Sequence, residues 1–157
     1  MSFFEDIEVG DRRALGSHTF TREEIIAFAT KYDPQPFHID EEAAKRTHFG
    51  ALVASGWHTA SMWMKYFVAD RLQDAAERAA RGERVAQVGP SPGFKNLRWL
   101  KPVYAGDTIS FATEVKDKLL SKTKTEWGIL VAHNSGVNQH GELVVDFEST
   151  VFIQRRT

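Results

Sequence analysis

A carboxylate and an imidazole lie five residues apart in the N-terminal third of the chain. Asp33 and His38 enclose Pro34 and Pro36, whose rings restrict the backbone between them. Such a stiff segment suits two side chains that must point at one position, and an Asp and a His directed at one water molecule can activate it by general acid–base catalysis. A simpler alternative fits the same residues, with Asp33 forming an Asx-Pro turn and His38 packing behind it.

A Ser-Gly pair, Ser55-Gly56, follows and leads into an apolar run. Glycine at the entrance of a helix allows a ligand to approach the backbone closely. The first amides of a helix are unpaired donors at the positive end of its dipole, so they can form an oxyanion hole for a carbonyl group. The alternative is that Gly56 serves only as a permissive N-cap.

Two helices are predicted to position these residues. Thr21 and Glu24 form a capping box for a helix over about 22–31, which Asp33-Pro34 ends. A longer helix is expected over 56–80, where no proline occurs and Ala, Met, Leu and Arg are frequent. Its first half is apolar nearly all round, which predicts burial on every side. Within it, His58 is expected to be a hydrogen-bonded polar residue rather than a catalyst.

The C-terminal third changes to a period of two. Apolar residues alternate over 109–115, 127–133 and 143–153, and residues 94–100 form a further candidate strand. Turns are expected near 121–122 and 139–141. The predicted fold class is α+β, with residues 1–157 forming one domain in which a curved antiparallel sheet wraps around a long central helix.

Composition excludes several classes of function. The 157 residues include no cysteine, which removes disulfides and thiol catalysis, and the net charge of −1 gives no general attraction to nucleic acid. No membrane span or signal peptide is recognisable, so a cytoplasmic location is expected. His38, His48 and His58 are ten residues apart, which is not a metal-ligand spacing, and no metal site is predicted.

A larger pattern connects these residues with a known family. Its parts are Asp33 and His38 around Gln35-Pro36, Asp40, Gly56 eighteen residues after His38, Arg98-Trp99-Leu100-Lys101-Pro102-Val103, and Gly106-Asp107. The chain thereby resembles, from about residue 5 to 153, the MaoC-like dehydratases, the (R)-specific enoyl-CoA hydratases of the hotdog fold. It differs from the usual family pattern at Gln35, where Asn is common, at Ser55, where His is common, and at Met64.

The resemblance implies a hydro-lyase that reversibly adds water to a 2-enoyl thioester and gives the (R)-3-hydroxyacyl product. Asp33 and His38 would hold the water as a coupled pair whose acid and base roles are not separated. The Gly56 amide would polarise the thioester carbonyl. Coenzyme A is expected only as part of the substrate, with no separate cofactor, and a homodimer or higher oligomer is expected.

Further residues are predicted to contact the substrate. Ser55 and Trp57 stand at the helix entrance, where Trp57 and Trp63 would shorten the acyl tunnel. The candidate contacts to the phosphates of coenzyme A are Lys95, Arg98 and Lys101. A solvated strand edge explains these three cations equally well, and acyl carrier protein is the alternative carrier.

Two other functions fit the same fold. A hotdog acyl-CoA thioesterase would hydrolyse the thioester with one carboxylate on or near the helix. A non-catalytic hotdog partner subunit would lack working catalytic residues. The presence of both Asp33 and His38 favours hydration.

Overall fold

The computed structural model describes residues 2–156. A short 3₁₀ helix at Phe4–Asp6 precedes the main elements. In chain order, the strands and helices are β1 (Arg12–Thr19), α1 (Arg22–Tyr32), α2 (Pro36–Ile39), α3 (Glu41–Lys45), α4 (Gly56–Ala80), β2 (Gly93–Trp99), β3 (Thr108–Leu120), β4 (Trp127–Val137) and β5 (Leu143–Gln154). The predicted long helix and the four predicted strands are confirmed.

All five strands form one antiparallel sheet in the order β1-β3-β4-β5-β2. Strands β3, β4 and β5 are consecutive neighbours, which is what their alternating patterns and short connecting turns predict. The outer positions belong to β1 and β2. The sheet with its single long helix confirms the predicted α+β class.

Strand β1 was not predicted from the sequence. Leu15 is its one buried residue, so the strand carries almost no alternating pattern. Its middle is irregular, because the register shifts between Ala14 and Gly16 and Gly16 has a φ of +126°. A Cβ atom at Gly16 would lie 2.8 Å from the ring of Tyr66, so glycine is what allows α4 to approach the strand here.

The expected burial of the first half of α4 on every side is wrong for this chain. Its buried residues, His58, Thr59, Met62 and Trp63, occupy one face. The opposite face keeps large apolar side chains more than two-fifths exposed, namely Trp57, Met64, Val68 and Leu72. The cause is that the chain covers α4 with its sheet on one side only.

The core lies between that buried face and the sheet. Trp63 stacks on Phe67 with ring centres 4.9 Å apart and meets Phe147 of β5 edge-on at 4.8 Å. The Trp63 indole N–H donates to the Ala112 carbonyl of β3 over 3.2 Å. These contacts fix how α4 sits on the sheet and therefore where its first residues lie. Among residues 2–156, no helix combines the length and the hydropathy needed to cross a bilayer.

Candidate active site

Asp33 is positioned by the end of α1. The predicted capping box begins this helix, with the Glu24 N–H donating to Thr21 Oγ1 over 3.2 Å. At the other end Asp33 is the C-cap residue, and its N–H donates to the Ala29 carbonyl over 2.8 Å. Because the helix ends here, the Asp33 side chain is directed away from the α1 ladder and toward the following segment.

His38 lies in α2, a single helical turn that begins with Pro36. Its imidazole is buried, and Nδ1 is 2.7 Å from the Val53 carbonyl. A carbonyl oxygen only accepts, so this contact places the hydrogen on Nδ1 and leaves Nε2 for proton transfer. Nε2 is 3.4 Å from Asp33 Oδ2. The side chains predicted to converge therefore do converge.

Two hydrogen bonds hold the Asp33 carboxylate. The Ser55 hydroxyl donates to Oδ2 over 2.6 Å, and the Gln35 amide donates to Oδ1 over 2.9 Å. Partial burial acts to raise the pKa of Asp33, but these two donors and the nearby His38 outweigh it and hold the pKa below its usual value. The carboxyl group is therefore ionised at neutral pH.

Ser55 also begins α4. Its Oγ accepts the Trp57 N–H over 3.3 Å, so one hydroxyl group caps the helix and binds the carboxylate. Ser55 was predicted to contact substrate, a role that stays a prediction, and the structure adds an anchoring role that the sequence did not indicate.

Gly56 is the first residue of α4, and within residues 2–156 its N–H makes no hydrogen bond. A Cβ atom at this position would lie 2.4 Å from Cε2 of Trp99. The indole of Trp99 thus packs directly on the Gly56 backbone, and any larger residue would displace it. Glycine is required here by this close approach, in addition to its predicted role as a donor.

A cavity of about 280 Å³ joins these groups. Its lining includes His38, Gly56, Thr59, Trp99, Lys101 and Val103. His38 and the first residue of α4 therefore line the same space, and Asp33 Oδ2 lies 3.4 Å from the imidazole. The arrangement can bind a polar molecule at the Asp33–His38 pair. It can also bind the carbonyl group of a ligand at the entrance of α4.

The other predicted contacts are spread more widely. Trp57 is half exposed and meets Trp99 edge-on at 5.1 Å. Lys101 lines the cavity and forms an ion pair with Glu142. These two residues therefore lie close enough to the cavity to contact a bound ligand.

Lys95 and Arg98 do not line the catalytic cavity. Arg98 donates to both carboxylate oxygens of Asp146, over 2.9 and 2.6 Å, and lines a separate depression. The register of β2 shifts between these two cations, so they are not related by simple alternation. Their role as phosphate contacts stays a prediction.

Sequence reasoning missed two groups of the site. Trp99 belongs to the motif that carried the resemblance, but an exposed strand aromatic gives no signal that it packs on a glycine 43 residues earlier. The Val53 carbonyl is a backbone group, so no residue type marks it. From the sequence, Gln35 was only a departure from the usual Asn. In the structure its side-chain amide donates to Asp33 Oδ1 and helps to hold that carboxylate in place.

His58 lies beside the site and differs from its prediction. Its ring stacks on Phe28 at 4.5 Å and meets Phe20 edge-on at 5.0 Å, and its Nδ1 has no hydrogen-bond partner among residues 2–156. Burial lowers the pKa of His58 to about 4. The expectation that its hydrogen bonds are satisfied is therefore wrong.

Comparison with known proteins assigns the chain to a class. The model of the MaoC like domain family matches residues 8–137, and the chain belongs to that family. It is 27% identical over 157 residues to the (R)-specific enoyl-CoA hydratase of Rhodospirillum rubrum, covering 99% of this chain and 94% of that protein. It is 28% identical over 151 residues to the uncharacterized protein YdeM of Bacillus subtilis, covering 96% of this chain and 98% of that protein.

The crystal structure of a MaoC-like dehydratase from Rhodospirillum rubrum superimposes with a TM-score of 0.82 at 33% identity, covering 100% of this chain and 99% of that one. The resemblance stated from sequence is therefore confirmed. The five-stranded antiparallel sheet with its long central helix is the hotdog fold.

Proposed function

We propose that this protein catalyses the reversible hydration of a 2-enoyl thioester to the (R)-3-hydroxyacyl thioester. The observation that carries the proposal is the Asp33–His38 pair, 3.4 Å apart, at a cavity that His38 and Gly56 both line. The similarity to an (R)-specific enoyl-CoA hydratase supports the same reaction and its stereochemistry.

In the proposed reaction, a water molecule lies beside the pair and contacts both Asp33 Oδ2 and His38 Nε2, which are 3.4 Å apart. Both atoms can accept a proton, since the carboxylate is ionised and Nδ1 carries the imidazole hydrogen. The water oxygen attacks C3 of the enoyl group while one of its protons passes to the pair. Charge then develops on the thioester oxygen, where the Gly56 N–H donates to it, and a proton returned to C2 completes the addition.

The acyl group is proposed to be carried by coenzyme A or acyl carrier protein. Of the three cations predicted to contact phosphate, Lys101 lines the cavity, so it is the first candidate for that contact. Its present partner is the exposed carboxylate of Glu142, an ion pair of little net stability that a phosphate can replace. Lys95 and Arg98 lie further along β2 and rank behind it.

We also propose that the working unit is a homodimer. The edge strand β2 and the residue after it expose Phe94, Trp99 and Leu100, next to the exposed apolar face of α4. The opposite edge strand, β1, exposes mainly arginine, serine and threonine. A second copy joined along the β2 edge would cover the apolar set. Location in the cytoplasm stays a prediction.

The direct test is incubation with crotonyl-CoA. We expect loss of the enoyl thioester absorbance with no release of free thiol, and chiral analysis should find (R)-3-hydroxybutyryl-CoA. Release of free thiol without hydration would instead assign the thioesterase function. Absence of both reactions for crotonyl and longer enoyl thioesters would favour the non-catalytic subunit.

A further inference from the structure

A second cavity, of about 450 Å³, lies between the C-terminal half of α4 and the sheet. None of its lining residues lines the catalytic cavity. Arg71, in its wall, comes fifteen residues after Gly56, which corresponds to about 22 Å along the helix. The hydration proposed above does not use this space.

Part of the lining of the second cavity is apolar. It comprises Phe67 of α4 together with Ile7, Val115 and Leu130. Ile7 and Leu130 are buried members of the smaller hydrophobic cluster, and Val115 packs against it. This part of the cavity can hold a short hydrocarbon chain or ring.

The lining also includes Arg71, a cation without an ion-pair partner among residues 2–156. Arg71 is partly buried and its Nε is fully enclosed, yet within residues 2–156 the side chain makes no hydrogen bond or ion pair. Its guanidinium lies 5.3 Å from the centre of the Phe67 ring. Burial lowers the pKa of Arg71, and no nearby carboxylate offsets that effect. The partly buried guanidinium group therefore has no anion to compensate its enclosed Nε.

Several of the neighbouring charges are already engaged. Arg13 of β1 donates to Asp70 and Asp74, and Arg78 pairs with Asp74 as well. The carboxylate of Asp11 accepts the Glu8 N–H over 2.8 Å. Arg12 also lines the cavity, but its side chain is exposed, so Arg71 is the more enclosed of the two lining arginines without an ion pair among residues 2–156.

We propose that this cavity is a second binding site, which takes a small organic carboxylate with an apolar body. The carboxylate would meet the Arg71 guanidinium, whose planar donors match its two oxygens. The apolar part would lie along Phe67, Val115 and Leu130. The volume is within the range of small-molecule sites in proteins.

Octanoate is a suitable probe, with 1-octanol as its uncharged counterpart. We expect millimolar octanoate to raise the melting temperature of the wild-type protein, and octanol at equal concentration to raise it much less. Arg71→Met should abolish the octanoate effect, while Arg71→Lys should keep part of it. Arg46→Met is the control, because it makes the same change at an exposed arginine at the end of α3. This variant should keep the octanoate effect.

The unliganded Arg71→Met variant gives a second readout. Removal of a partly buried, uncompensated charge should raise its own melting temperature, by about 2 °C for a chain of this size. A decrease would mean that Arg71 already has a stabilising role in the free protein and would count against the proposal.

The location is tested by amide chemical shifts. Octanoate should perturb Val115 and Leu130, and it should do so equally in the Asp33→Asn variant, whether or not the protein is a hydratase. Perturbation centred on His38 and Gly56 would place the probe in the catalytic cavity and overturn the proposal. So would equal stabilisation of the wild-type and Arg71→Met proteins, or no stabilisation of either.

Discussion

Asp33 illustrates how much of the geometry of the candidate site depends on residues distant in sequence. The short spacing to His38 predicted that the two side chains converge, because the prolines between them leave few conformations. The 2.6 Å bond from Ser55 could not be predicted in the same way. It spans 22 residues and exists only because α4 docks with its first turn against the end of α1.

Ser55→Ala should change both the chemistry and its pH dependence. Loss of the donor to Oδ2 removes a contribution that lowers the pKa of Asp33, so the acidic limb of kcat/KM should move to higher pH. We expect kcat/KM near neutral pH to fall roughly tenfold, as for loss of one charged hydrogen bond. Ser61→Ala is the matched control, since that hydroxyl donates only to the Trp57 carbonyl. An unmoved acidic limb would contradict the anchoring role.

His58→Phe should make stability less dependent on pH. The pKa of His58 is about 4 in the folded protein against 6.5 ordinarily, so below pH 6.5 the unfolded chain takes up a proton that the folded protein does not. Wild-type stability should therefore fall by about 2 kcal/mol from pH 7 to pH 5 through this group alone.

Urea unfolding at the two pH values measures this difference. The Phe variant keeps the ring contacts and should lose most of the pH-dependent decrease. His140→Phe, in the exposed turn between β4 and β5, should retain it. An equal decrease in all three proteins would contradict the assignment to His58.

At the scale of elements, local signals predicted α1, α4 and four of the strands. The capping box, the absence of proline and the alternating patterns each act within a few residues. They did not predict β1, whose one buried residue leaves no pattern. They also predicted burial of the first half of α4 on every side, because an all-round apolar helix does not reveal which side the sheet will cover.

The entrance of α4 offers a test of element packing. Gly56→Ala would force its Cβ against the Trp99 indole, and we expect a loss of about 1–3 kcal/mol in unfolding free energy. If steric conflict is the cause, the same substitution should cost much less in a Trp99→Ala background. A double-mutant cycle by urea unfolding measures the coupling. Additive losses would show that the two residues do not interact.

At the scale of the whole molecule, the main feature is the large apolar surface that a single copy of the chain leaves exposed on α4. Trp57, Met64, Val68 and Leu72 form a stripe along α4. The sequence shows that these residues are apolar, but it does not show that the sheet leaves them exposed. Burial by the sheet and burial by a second copy both select apolar residues at helical spacing, so the sequence pattern does not distinguish them.

Val68→Asp should convert the proposed dimer into a monomer. A carboxylate in the middle of the stripe would be buried without a partner in the interface. Sedimentation velocity at micromolar concentration should find a dimer for the wild-type protein and a monomer for the variant. Val9→Asp is the control, the same change at an exposed valine just before β1, and should stay dimeric. A wild-type monomer would contradict the proposal.

The central claim is that Asp33 and His38 act as one acid–base pair on water. Its most direct test is crotonyl-CoA hydration by the Asp33→Asn and His38→Gln variants beside the wild-type protein, with folding checked by circular dichroism. We expect turnover in the wild-type protein and a loss of about a hundredfold or more in each variant, with the double variant little worse than either single one. Wild-type turnover that both substitutions leave unchanged would contradict the claim.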